Sequence, residues 1–250
     1  LKKGTKLTPA AIGFLVSLGI KYIKSYKNPI VSIITTGSEL QKAGKPLASG
    51  NIYESNSFAL SAALKEMGVH PRFIAQLRDD KKTLHSTIRG LLRDSDVLIL
   101  SGGISVGKYD LVKETLQKLG VREIFYRVAQ KPGKPLFVGR KGSKIIFALP
   151  GNPAATLTCY YEYVYPAIRK IQGFSEYFMP KKYVKTLEAI RKKSDRAYFL
   201  KGIVTHNGVL PLEGQESYIM KSFAEANAII YLPLEKGDVK KGEEVEVHLL

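Results

Sequence analysis

The sequence predicts an α/β domain on a parallel or mixed sheet, followed by a small all-β domain, and three observations predict it. Through the first two thirds of the chain, short β-branched runs alternate with apolar residues at helical spacing over segments of about 10–15 residues, the pattern of βαβ units. Glycine-bearing turns follow directly after several of those runs. Beyond Gly173 the texture changes to short strand-like runs broken by Asn207-Gly208, Glu213-Gly214, Gly237-Asp238 and Lys241-Gly242. These breaks divide the chain into a lysine-rich lead-in (1–28), an α/β domain (29–175) and a C-terminal β domain (176–250).

The elements follow in order. Ile30, Val31, Ile33 and Ile34 form a buried strand that stops at Thr35-Thr36-Gly37. After a polar loop to Gly50, Ser55 or Asn56 caps a helix with Phe58, Ala62, Ala63 and Met67 on one face and Gly68 past its end. A strand is expected around Arg72–Leu77. Asp79 or Asp80 then caps a helix bearing Leu84, Ile88, Leu91 and Leu92. Val97–Leu100 reads as a strand entering Ser101-Gly102-Gly103, and Asp110 opens a helix with Leu111, Thr115, Leu116 and Leu119, closed by Gly120. Further strands fit Ile124–Val128 and Ile145–Leu149. Pro153–Ile171 is predicted as a helix that Pro166 kinks or restarts.

Composition excludes several classes. With 44% hydrophobic and 24% charged residues the chain is an ordinary globular sequence, neither disordered nor collagenous. Its longest apolar stretch, Ala10–Ile20, is interrupted by Gly13, Ser17 and Gly19 and is short of the ~20 residues of a membrane span. The single cysteine, Cys159, allows no internal disulfide, and His70, His85, His206 and His248 lack metal-ligand spacing, so a reducing, cytoplasmic setting without zinc is expected. A chain that begins at Leu1, without methionine or a charged leader, reads as a trimmed piece of a longer protein. The net charge of +17 is unevenly placed: residues 1–179 carry an excess of +15 and residues 180–250 one of +2. Such a field suits an anionic partner, and equally a merely soluble lysine-rich surface.

In an open α/β sheet ligands sit beyond the carboxyl ends of the strands. Three loops there are chemically unusual: Thr35-Thr36-Gly37-Ser38-Glu39, Ser101-Gly102-Gly103-Ile104-Ser105-Val106-Gly107 and Pro150-Gly151-Asn152-Pro153. Glycines let backbone amides approach an anion, and the N-terminus of a following helix favours negative charge, so the three together suggest a phosphate site. Lys131-Pro132-Gly133-Lys134-Pro135 adds two ammonium groups on a stiff segment, either to meet an anion or as a solvated turn. Asp110 either caps its helix or holds a divalent cation, or does both. No P-loop, dinucleotide fingerprint or Gly-x-Ser-x-Gly elbow is present.

The ordered set Thr36-Gly37-Ser38-Glu39-Leu40, Ser101 to Gly107, Lys131 to Pro135 and Leu149-Pro150-Gly151-Asn152-Pro153 resembles the molybdopterin molybdenumtransferases, the MoeA and gephyrin E-domain family. Arg196-Ala197-Tyr198-Phe199 and Gln215-Glu216-Ser217 also match family positions. The resemblance implies a three-layer, MogA-like molybdopterin-binding domain and an enzyme that binds adenylated molybdopterin, inserts molybdate into the dithiolene and releases AMP with Mg2+. It implies that Thr36, Gly37, Ser38, Glu39, Ser101, Gly102, Gly103, Ser105, Gly107, Pro150, Gly151, Asn152 and Pro153 cradle the pterin phosphate and adenylate. By the same resemblance Asp110 is the essential carboxylate and metal ligand, and Lys131, Lys134, Arg196 and Ser217 hold molybdate. A cytoplasmic homodimer without nucleic-acid or membrane partners is implied too, as are upstream domains that this chain lacks, the lead-in being a remnant of one. Ser38, Lys108 and Ala154-Ala155 depart from the family's usual residues. Two other readings share the fold or the charge: a MogA-like molybdopterin adenylyltransferase, and a non-catalytic scaffold or nucleic-acid-binding module.

Overall fold

The computed structural model describes residues 1–104 and 110–250. In the lead-in lies α1 (Pro9–Ser17), a helix the sequence reading leaves out; Thr8 caps it by accepting from the Ala11 N–H, and Pro9 occupies its first turn. The α/β lobe then runs β1 (Val31–Thr36), β2 (Leu40–Gln41), β3 (Ile52–Tyr53), α2 (Asn56–Glu66), β4 (Phe73–Leu77), α3 (Lys81–Asp94), β5 (Val97–Ser101) and α4 (Leu111–Lys118). It continues through β6 (Arg122–Tyr126), β7 (Gln130–Lys131), β8 (Phe137–Lys141), β9 (Lys144–Leu149) and α5 (Pro153–Cys159), a π turn (Tyr160–Val164) and α6 (Tyr165–Ile171). The second lobe holds β10 (Lys181–Lys185), β11 (Ala197–Thr205), β12 (Gly208–Pro211), α7 (Lys221–Glu225), β13 (Ala228–Leu232) and β14 (Glu244–Leu249).

The main sheet has the order β4-β1-β5-β9-β8-β6. Its first four strands are parallel, and β8 and β6 add antiparallel pairs. Strand β5 shows how both faces are filled: Val97 and Ile99 join one core with Leu60, Leu64, Tyr160 and Val164, while Leu98 and Leu100 join the other with Leu84, Ile88 and Leu116. Helices α2, α5 and α6 therefore cover one face and α3 and α4 the other, giving three layers. Each fully buried Leu or Ile here contributes roughly 1.5–3 kcal/mol.

Two details differ from expectation. Phe58 and Ala62 of α2 face outward, and the buried face is Ser57, Leu60, Ser61, Ala63 and Leu64. The serine at 57 is buried because Glu54 takes its N–H (2.8 Å) and its hydroxyl (2.5 Å), which satisfies groups that a polarity count assigns to solvent. The long helix from Pro153 is interrupted by the π turn, after which Pro166 sits harmlessly in the first turn of α6.

The second lobe is an antiparallel sheet of order β10-β14-β13-β11-β12, to whose β11 the outlying strand β7 adds in parallel. An apolar seam of Ala154, Leu157, Phe199, Phe223 and Ile229 joins the two lobes.

Candidate functional site

Because β1, β5 and β9 are adjacent and in register (Thr35 beside Ser101, Ser101 beside Leu149), the three unusual loops leave the sheet side by side. Ser101 fastens them together. Its hydroxyl donates to the Pro150 carbonyl (3.0 Å) and accepts from the Asn56 amide (2.9 Å), which also reaches the Gly151 carbonyl (2.7 Å). Thr156 donates to the same Pro150 carbonyl at 2.7 Å. The single hydroxyl proton of Ser101 is thus engaged within the protein, so its part in a ligand site is to set the loops.

Gly102 and Gly103, at φ +87° and +65°, lie flat against Thr36. A β-carbon on Gly102 would overlap the Thr36 carbonyl oxygen, and one on Gly103 would stand 2.6 Å from both the Thr36 hydroxyl and Val112. Only glycine permits this approach. At the strand end the hydroxyls of Thr35 and Thr36 are buried with no hydrogen-bond partner among the described residues, and that of Thr36 lies beneath Gly103. Such groups cost about 1–3 kcal/mol each, and their presence beside a glycine loop marks a place where a polar ligand would complete the bonding. In the first loop the Gly37 N–H donates to the Leu77 carbonyl and the Ser38 N–H to Asp79 (3.3 Å each), while Ser38 and Glu39 are exposed. Ser105, Gly107 and Lys108 lie outside the described residues.

Asp110 is buried and caps α4: one carboxylate oxygen accepts from the Lys113 N–H and the other from the Tyr126 hydroxyl, both at 2.9 Å. Burial, together with the Asp110 carboxylate and against Arg127, lifts the Tyr126 phenol above its usual range, so it stays a donor. Among the described residues no group of three or more His, Cys, Asp or Glu side chains could hold a metal ion, so these residues do not fit a resident cation in a cage of protein ligands. The capping reading of Asp110 is the one its geometry displays.

Lys131 and Lys134 are both exposed on a loop with a built floor. The buried Gln130 donates from its amide to the Pro132 carbonyl (3.0 Å) and accepts from the Tyr163 hydroxyl. Pairing of Gln130 with Ala197 and of Lys131 with Tyr198 carries this loop to the head of β11, and the Lys131 ammonium stands 5.3 Å from the Tyr198 ring. Arg196, half-buried and 3.4 Å from the Ser194 hydroxyl, is thereby brought within two ladder positions of Lys131.

Ser217 belongs to the second lobe and caps the first. Its carbonyl accepts the Ala154 and Ala155 N–H groups (3.0 and 3.2 Å), and its hydroxyl accepts from Asn152 (2.7 Å). The first amides of α5, expected to be open to an anion behind Pro153, are filled in this way. The loop carrying Ser217 is held by Lys201, which is buried in β11 with its ammonium 2.6 Å from the Gly214 carbonyl, 3.2 Å from that of Ile219 and 3.4 Å from that of Glu216. Burial pulls the Lys201 ammonium below its usual value, against the pull of Glu216. Sequence reasoning passed over Asn56, Thr156 and Lys201; a lysine inside the apolar run Phe199 to Val204 was the one available signal.

A cavity of about 730 Å³ lies at the opposite end of the sheet, beside Asn28, Met67 and Gly68, which precede β1 and β4. Size alone would point away from the loops.

Residues 32–170 match the family model described as "Probable molybdopterin binding domain", and residues 183–250 match the MoeA C-terminal region (domain IV). The chain is 33% identical to a molybdopterin molybdenumtransferase of Haemophilus influenzae, covering 100% of this chain and 64% of that one. It is 33% identical to a gephyrin of Dictyostelium discoideum, covering 100% of this chain and 40% of the other. A solved molybdopterin biosynthesis MoeA protein from Pyrococcus horikoshii superposes with a TM-score of 0.85 at 31% identity, over 100% of this chain and 61% of that one. The chain therefore spans less than two thirds of the length of these relatives.

Proposed function

Because the chain belongs to the molybdopterin molybdenumtransferase family, MoeA and gephyrin included, we propose that it binds adenylated molybdopterin and takes part in inserting molybdate into the dithiolene with release of AMP. The observation that supports this best is the buried Thr36 hydroxyl, which has no partner among the described residues and lies beneath the Gly102-Gly103 turn. In this reading the ends of β1, β5 and β9 hold the pterin phosphate and adenylate: Thr36 donates to a phosphate oxygen, and Gly102 and Gly103 let the ligand backbone come close. Ser101, Pro150, Gly151, Asn152 and Pro153 keep the loops in register. Lys131, Lys134 and Arg196 converge on molybdate, since a tetrahedral dianion is held strongly by charge-assisted bonds, and Ser217 closes the seam beside them.

Magnesium carried on the substrate phosphates would, in the same reading, be held on the protein side by Asp110, the usual style of magnesium at phosphate sites. It would neutralise phosphate charge there. Asp110 meanwhile keeps its cap on α4 and its bond from Tyr126. The reading extends to a homodimer at work in the cytoplasm, without nucleic-acid or membrane partners; no described helix is long and apolar enough to cross a membrane.

Equilibrium binding of molybdopterin and its adenylate to the purified chain, at low and moderate salt and with Lys131→Ala alongside, tests the proposal. Preference for the adenylate that survives moderate salt is expected, and molybdate binding to the adenylate-loaded chain is expected to weaken in the variant. Binding with no pterin preference that vanishes with salt would refute it.

A further inference from the structure

The π turn reaches three different partners with three successive side chains. The Tyr161 ring stacks on Phe223 of the second lobe (6.1 Å, 18°), the Tyr163 hydroxyl donates to Gln130 under the lysine loop, and Glu162 meets His248 of β14. The last contact differs from the others in kind. His248 is 5% exposed, with Nδ1 2.7 Å from a Glu162 oxygen and Nε2 2.9 Å from a Glu246 oxygen. Ionised carboxylates only accept, so the ring satisfies both neighbours only when both nitrogens carry protons. A neutral imidazole would aim a lone pair at an anionic oxygen.

The surroundings are accounted for on every side. Lys181 and Tyr183 of β10 both hydrogen-bond Glu246 (2.6 and 2.9 Å), the Tyr231 ring of β13 stacks on the imidazole at 5.8 Å, and Phe199 of β11 stands 6.4 Å away. Lys181, Tyr183 and Tyr231 are all pushed above their ordinary values, so they keep their protons where histidine titrates. Burial works to lower the His248 value, but Glu162 and then Glu246 outweigh it and the net direction is up.

We propose that His248 is a protonation-controlled positioning residue: its imidazolium clasps Glu162 of the first lobe to the second-lobe sheet, and losing the proton loosens the seam that holds Ser217 and Arg196 against the first lobe. This deepens the molybdate-site reading and rests on it only for the effect on ligand. Glu246 shares a strand with His248 and stays beside it whether the seam is closed or open. Only the share of Glu162 changes on opening.

The sign follows from linkage. With the seam closed His248 holds its proton to higher pH than with the seam open, where the value returns towards the usual ~6.5, so opening releases a proton between the two values. In that window the opening equilibrium rises towards tenfold per pH unit, and outside it the dependence is flat.

Hydrogen exchange of the Ala154 and Ala155 amides, which donate across the seam to Ser217, reads this opening in the full chain without any ligand. After correction for intrinsic exchange, the wild type is expected to lose protection with a slope approaching one decade per pH unit above about pH 6.5, and Glu162→Gln and His248→Gln to be flat. A flat wild type, or a slope that persists in His248→Gln, overturns the proposal. Molybdopterin adenylate binding is measured separately: a chain that shows the slope yet binds no adenylate refutes the site reading and leaves the clasp standing, whereas binding without the slope does the reverse.

Discussion

Replacing Thr36 by Val should make the free protein more stable and the liganded complex weaker. The variant keeps the shape of the side chain, suits a strand, and removes a buried hydroxyl that has no partner. Deleting an unsatisfied buried hydroxyl returns about 1–2 kcal/mol to the folded state, the lower part of the range for stranded polar groups. For a chain of this size each kcal/mol moves the melting temperature by roughly 2–4 °C, so a rise of about 2–8 °C is expected by scanning fluorimetry and calorimetry. The same hydroxyl, if it donates to a phosphate oxygen, is worth about 1.5–3 kcal/mol on binding, and its loss should weaken molybdopterin adenylate by roughly ten- to a hundredfold in titration calorimetry. The two shifts have opposite signs because the unpaired donor is a cost in the free protein that the ligand offsets. A lowered melting temperature would mean that the hydroxyl has a partner in the free state, and unchanged affinity would mean that it does not face the ligand; either result refutes the reasoning.

Gly102→Ala should lose at least about 2 kcal/mol in urea unfolding, since the left-handed backbone alone costs a side-chain-bearing residue ~1–2 kcal/mol and the new carbon meets the Thr36 carbonyl. An unmoved urea midpoint would show that the turn has another conformation. Lys201→Met should cost about 1–3 kcal/mol by leaving the Ile219 carbonyl without a donor, while Gly214 keeps the Ser222 hydroxyl and Glu216 the Ile219 N–H, and should raise exchange at Ala154 and Ala155 through the Ser217 loop; unchanged exchange would separate Lys201 from the seam. Lys131→Ala changes an exposed residue, so its melting temperature should stay within about 1–2 °C of wild type, given the ±0.5 kcal/mol usual for surface changes, while molybdate binding to the adenylate-loaded chain falls roughly tenfold. Glu246 supplies an acid limb: burial alone would raise its carboxyl, but the bonds from Lys181, His248 and Tyr183 hold it at about 2. A depressed carboxylate stabilises fully above its ordinary value of 4.5 and loses that contribution as pH falls towards 2, so Glu246→Gln should flatten the urea midpoint across that interval.

Local signals in the sequence led to local structure. Asp80 caps α3 through the Thr83 N–H (2.7 Å) and Asp110 caps α4, as their positions before apolar helical patterns predict, while Asp79 turns instead to the Ser38 amide. Loops after parallel strands emerge at one edge of a sheet by construction, so the juxtaposition of Thr36, Ser101 and Pro150 was legible before any coordinates. What escaped was set by partners far away in the chain. The burial of Lys201 depends on carbonyls 13 to 18 residues ahead, and the Glu162–His248 pair joins residues 86 positions apart; the outward turn of Phe58, by contrast, follows from a local contact, Glu54 satisfying Ser57 three residues on. No period of two or 3.6 residues encodes such pairs. Strand β8 was missed because it follows directly on the proline- and glycine-rich lysine segment, whose turn chemistry masks the apolar residues after it.

The expectation that backbone amides would cradle the anion changes most on seeing the structure, and the change bears on how the site works. The N-terminus of α3 is closed by Asp80, that of α4 by Asp110 and that of α5 by Ser217; the Gly37 N–H serves Leu77, and that of Gly102 serves Leu149. These amides hold the loops to one another and to the second lobe, so in the proposed site anion recognition falls to side chains among the described residues: the Thr36 hydroxyl beneath the glycine turn, and the ammonium and guanidinium groups of Lys131, Lys134 and Arg196. Hydroxyls are neutral and fixed on a strand, whereas the cations stand on a loop and at a strand head joined only by the β7–β11 pairing. The neutral half of the site is therefore complete within the first lobe. In the proposed site Lys131 and Lys134 stand on the first-lobe loop and Arg196 at the head of β11, so the three cations meet only while the two lobes are held together, which is how the contacts of Ser217 and His248, remote from any reacting atom, would bear on anion binding.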